Sequence, residues 1–140
     1  MGRTIGGIIA GIVAALATIS LVSILGNLLH PLPAGLSMYD GAAVRAYFAA
    51  MPPFAQAFVA LAWFLGALVG GLVAAAVSKT PRSLWAIAAV VAALGILNVV
   101  KIPHPVLLQI AAVVAPLLGG LVASLIVRPR LGASVPADAA

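Results

Sequence analysis

Apolar residues run almost unbroken along four stretches, 4–29, 54–78, 82–100 and 105–127, and polar residues gather at their ends. No ionised side chain stands inside any of them. A helix needs roughly 20 apolar residues to cross a hydrocarbon core about 30 Å thick, so each stretch predicts one membrane-spanning helix. Pro53, Pro81 and Pro105 stand at three of the starts, where a first helical turn has no use for the missing N–H. Thr80 is placed to cap the third helix. The first stretch exceeds the short apolar core of a leader peptide, so it is read as a span and not as a cleaved signal.

The connection 30–53 is too long to be a bare loop in a compact domain. Ser37 and Asp40 have the spacing of a capping box, and Pro52-Pro53 stops whatever follows. Between them Val44, Tyr47, Phe48 and Met51 share one side at helical spacing, with Arg45 pointing elsewhere. The expectation is a short amphipathic helix over 38–51. The predicted fold is therefore all-α: a polytopic membrane four-helix bundle of two helical hairpins, with that amphipathic helix in the first outer loop. One transmembrane domain spans 1–128. The tail 129–140, rich in small residues and proline, is expected to be a disordered cytoplasmic segment.

Between helices surrounded by lipid, burial from water supplies no drive, and association rests on close backbone approach at small residues. Ala62, Gly66, Gly70, Ala74 and Ser78 recur every fourth position in the second stretch, including the G-x-x-x-G pair Gly66 and Gly70. In the fourth, Ala112, Pro116, Gly120 and Ser124 do the same, flanked by Ala115, Gly119 and Ala123. The first stretch offers two adjacent rows, Gly2-Gly6-Ala10-Ala14 and Gly7-Gly11-Ala15. Gly66, Gly70, Gly71, Gly119 and Gly120 are the expected packing residues, with intramolecular contacts favoured over a dimer. Pro116 predicts a kink. The phrase at 68–74 resembles that at 117–123, with Leu118 in the place of Val69, which suggests two parallel repeats related by a pseudo-two-fold along the membrane normal.

Composition agrees with a lipid solvent. Apolar residues make up 65% of the 140 and charged residues 6%, against about 25% charged in a soluble domain. Mean hydropathy is +1.30. The net charge of +5 comes from cations scattered singly at the ends of apolar stretches, so membrane lipids are the expected contact and nucleic acid is not. Arg3, Lys79, Arg82, Arg128 and Arg130 fall on one side of a four-span topology, and Arg45 and Lys101 on the other. The positive-inside rule then predicts a multi-pass protein of the cell (cytoplasmic) membrane with both termini cytoplasmic.

Candidate chemistry is sparse. With no cysteine, thiol catalysis, thiolate metal sites and disulfides are excluded. Asp40 and Asp138 are the acids. Asn27, His30, Asp40, Arg45, Asn98, Lys101 and His104 all map to the outer end, with Gln56 and Gln109 at the same level, and form a candidate ligand-binding cluster. The competing reading is that helix ends are polar because water is near. His30, His104 and Asp40 have no metal-ligand spacing, and no serine stands in a nucleophile elbow. The span count is similar to that of the small multidrug efflux family, but that family relies on a membrane glutamate and this chain has none. Trp63, mid-helix, is expected to pack in the core. These features lead to a non-enzymatic accessory or assembly component acting through helix packing, with a membrane-protein partner or a second copy of itself and no cofactor. The alternative is a small transporter, channel or lipid-binding protein using the outer cluster.

Overall fold

The computed structural model describes residues 2–37 and 39–132, the side chains of 129–132 excepted. The described residues form five helices and no strand: α1 (Gly2–Leu29), α2 (Gly41–Ala50), α3 (Pro53–Ser78), α4 (Arg82–Lys101) and α5 (Val106–Gly132). Four of them, all but α2, are long and apolar enough to cross a membrane.

Helix boundaries follow local chemistry. The carboxylate of Asp40 accepts from the N–H groups of Ala42 and Ala43 at 3.0 and 3.1 Å, so Asp40 is the N-cap of α2. This corrects the capping box, which put Ser37 at the cap and Asp40 inside the first turn. Ser37 instead closes a turn ahead of the helix, its Oγ accepting from Tyr39 N–H at 3.3 Å. Pro53 occupies the first turn of α3 as expected. Thr80 does not cap α4 with its side chain. Its carbonyl accepts from the Ser83 hydroxyl at 2.7 Å, and buried Ser78 and Ser83 share a hydroxyl hydrogen bond of 2.8 Å. These bonds tie a three-residue turn in which Lys79 adopts the left-handed conformation, with φ 58°. Helix α5 stays helical through Pro116 and runs to Gly132, past the expected end at Val127. The first residues of the expected disordered tail are therefore helical, and 133–140 lie outside the described residues.

The long helices meet through small residues. An added methyl at Gly11 would come within 2.7 Å of the Gly70 carbonyl and the Ala74 side chain, and one at Gly70 within 2.6 Å of the Gly11 carbonyl. Gly7 lies equally close to Ala74 and Ser78, and Gly66 to Ile19. Helices α1 and α3 are thus antiparallel and nearly backbone to backbone. Gly119 rests on the Phe64 carbonyl and Ala67 of α3, Gly120 on Ala88 of α4, and Gly71 on Leu84 of α4. At each of Gly66, Gly70, Gly71, Gly119 and Gly120 an added methyl would meet an atom of another helix within 4 Å. On α1 the row Gly7-Gly11-Ala15 is buried, while Gly2 and Gly6 of the neighbouring row have nothing within 4 Å.

Helix α3 touches all three other long helices, and α4 does the same, whereas α1 and α5 do not pack on one another among the described residues. That arrangement is at odds with the expected pseudo-two-fold. Such an axis exchanges α1 with α4 and α3 with α5, so the α3–α4 contact would need a matching α1–α5 contact. Trp63 is buried in the main core with Ala15, Ala67, Ile87 and Val91. The outward faces are apolar, with Ile9, Val13, Leu28, Val100 and Val106 among the exposed residues.

Candidate functional site

Helix α2 lies across one end of the long helices. Its apolar side is buried through Val44 and Phe48, which form a small second core with Met51 and Ala55, against which Tyr47 and Ile102 pack. Arg45 is exposed, as the helical spacing required.

This placement threads a row of rings across that end. His30 stacks on Tyr47 with centroids 5.7 Å apart and planes at 21°, Tyr47 meets Phe48 edge-on at 5.4 Å, and Phe48 tilts over His104 at 4.3 Å. Phe54 closes edge-on against His30 at 6.1 Å. The two histidines are therefore separated by two aromatic rings and do not converge. Among the described residues no group of three His, Cys, Asp or Glu side chains is arranged to hold a metal ion.

The candidate polar residues fall into three sets. Asn27 and His30 border a cavity of about 220 Å³ between α1, α2 and α3, whose walls include Ser23, Phe48, Met51 and Phe58. Arg45 and His104 border a second, more open hollow of about 450 Å³ on the other side of α2, together with Gln56 and Gln109. Asp40, Asn98 and Lys101 border neither. Asp40 is engaged as the α2 cap. Asn98 and Lys101 are exposed at the end of α4, where the lysine complements the helix dipole. Phe48 forms part of both walls.

His104 is buried, and its Nδ1 lies 2.6 Å from the Ile102 carbonyl. A carbonyl only accepts, so Nδ1 carries the proton and Nε2 of the neutral ring is an acceptor. Burial lowers the His104 pKa below the ordinary imidazole value, and the carbonyl opposes that shift without overcoming it. Burial also raises the Tyr47 phenol, which keeps its proton as a hydrogen-bond donor. Gln56 and Gln109 share one device: each donates its side-chain amide to a carbonyl five residues back, Met51 and His104, at 2.9 Å in both cases. Both amides are thereby held at the starts of α3 and α5.

Two contributors escape a reading by residue type. Phe58 is an ordinary aromatic until α2 is folded over it. Ser23 belongs to a row, Ser20, Ser23, Asn27 and His30, at spacings of three, four and three, which places all four on one flank of α1. Ser20, Ser23 and Asn27 are exposed and His30 half-buried. The periodicity is visible in the sequence, and only an apolar helix makes it conspicuous. No family model, curated protein or solved structure matches this chain.

Proposed function

We propose that this chain is a four-span protein of the cell membrane, with both termini cytoplasmic and α2 on the outer surface, and that it is a non-enzymatic protein holding a small membrane-resident ligand at its outer end. The observation that carries the reading is the cavity beneath α2. Its walls are mostly apolar, with Ser23, Asn27, His30 and Tyr47 as the polar side chains, which is the composition of small-molecule sites. The topology rests on Arg3, Lys79, Arg82 and Arg128 lying at the end opposite α2.

The chain has no cysteine, so single cysteines report topology cleanly. In sealed cells a membrane-impermeant thiol reagent labels Ala46→Cys and spares Thr80→Cys until the cells are opened. Equal labelling of both would end the topology. For the ligand, native mass spectrometry of mildly extracted protein retains a bound small molecule on the parent chain and loses it on Ala55→Leu, which fills the cavity. Bare protein in both cases removes the binding role.

A second reading, an accessory or assembly component packing against a partner or a second copy, is favoured by the unused row Gly2 and Gly6 on α1. Crosslinking in native membranes through Gly6→Cys recovers a defined adduct if this holds, and only monomer if it does not.

A further inference from the structure

Resting on the reading of the α2 cavity as a binding site, we infer that its ligand is a single-chain amphiphile with an uncharged, hydrogen-bonding head, which enters from the lipid along the polar flank of α1.

Charge decides the head. Ser23, Asn27, His30 and Tyr47 supply hydroxyl, amide, imidazole and phenol groups to the lining, and no Lys, Arg, Asp or Glu reaches it. The nearest candidates are otherwise placed: Arg45 borders the hollow on the far side of α2, and Asp40 is held as its cap. An ionised carboxylate or phosphate drawn into this space would leave water and meet no permanently charged partner, a heavy cost in an apolar surrounding. A hydroxyl or carbonyl head loses far less on transfer and finds both donors and acceptors in Asn27.

Size decides the chain. A volume of about 220 Å³ lies below the roughly 300–1,000 Å³ of sites that enclose a drug-sized ligand. It suits the head-proximal part of one chain better than two acyl tails side by side. Phe48, Met51 and Phe58 give that chain an aromatic and thioether wall, adaptable in shape.

The route follows from the row on α1. Ser20, Ser23 and Asn27 are exposed amid Leu21, Ile24, Leu25 and Leu28, which are exposed as well. In a lipid surrounding this is a track of hydrogen-bonding groups set in an apolar surface, and it leads into the cavity at Ser23 and Asn27. Thr18, on the same helix, is different, because its hydroxyl bonds back to the Ala14 carbonyl at 2.8 Å.

The test uses the full chain in phosphatidylcholine nanodiscs with two photoreactive probes, a diazirine-tagged hexadecanol and the matching hexadecanoate, at a pH where the acid is ionised. The alcohol should label peptides carrying Met51 and Phe58, and should do so at least roughly fivefold more than the acid, because the ionised head must give up its water. Asn27→Leu, which keeps volume and suits a helix in lipid, should lower alcohol labelling several-fold. Ser20→Ala, outside the cavity, should slow labelling without changing its final extent. Equal or stronger labelling by the acid overturns the uncharged head while leaving the cavity as a binding site. No labelling of Met51 or Phe58 peptides by either probe, with the chain folded by circular dichroism, overturns the site itself. Unchanged labelling in both Asn27→Leu and Ser20→Ala overturns the polar track.

Discussion

Phe48 and His104 lie ring over ring, centroids 4.3 Å apart, and this contact joins the surface helix α2 to the turn between α4 and α5. Both side chains are buried. The imidazole is neutral where it sits, because burial lowers its pKa below the ordinary value of 6.5.

Acid should therefore loosen this end of the molecule. The unfolded chain binds a proton on His104 at a higher pH than the folded chain does, so stability is full above the ordinary imidazole pKa and falls as pH drops through and below it. Thermal melts in detergent at about pH 7.5 and about pH 5, either side of the imidazole range, should show the loss. A His104→Leu variant should show a smaller pH dependence. Equal pH dependence in the two proteins would remove His104 as the cause.

Two glycines on one helix should respond oppositely to the same change. Gly11→Ala drives a methyl against the Gly70 carbonyl and Ala74, and backbone atoms do not rotate away, so a loss of about 1–3 kcal/mol is expected. Gly6→Ala meets nothing within 4 Å and gains helix propensity, up to about 1 kcal/mol. Melting temperatures of the two variants, measured in one detergent, should fall on opposite sides of the parent.

Lys79 holds a left-handed backbone with a side chain attached, a conformation costing L-residues about 1–2 kcal/mol. Lys79→Gly should raise the melting temperature, while Lys79→Ala, which keeps the Cβ, should not. A gain shared by both variants would point to the lost charge and not to the backbone.

The long helices were legible because lipid-compatible length and hydropathy depend on composition summed over many residues. Which side of a helix faces inward was not. On α1 the rows beginning at Gly2 and at Gly7 are equally small in the sequence, and the choice between them rests on what α3 presents at Gly70 and Ala74. Ser37 and Asp40 are both good caps, and the turn ahead of α2 decides in favour of Asp40. The scattered polar residues looked like one cluster because they share a depth. Depth is a coordinate along the helices, and the row from His30 to His104 divides them around the axis, with α2 as the partition. The repeated phrase at 68–74 and 117–123 is real as sequence, yet Gly71 lies beside Ala123 and Gly119 beside Ala67. The two copies are therefore displaced along the shared axis and do not superpose by rotation.

The central position of α3 bears on how the molecule is built. Its small-residue face is what α1 closes upon, so α1, which leaves the ribosome before α3, has no seat until Gly66 and Gly70 have followed it. Synthesis arrested after Ser78 should already yield a stable α1–α3 pair, onto which α4 and α5 are added as a later shell. An amino-terminal fragment and its carboxyl-terminal remainder, made as separate chains, should then find each other with α3 as the template.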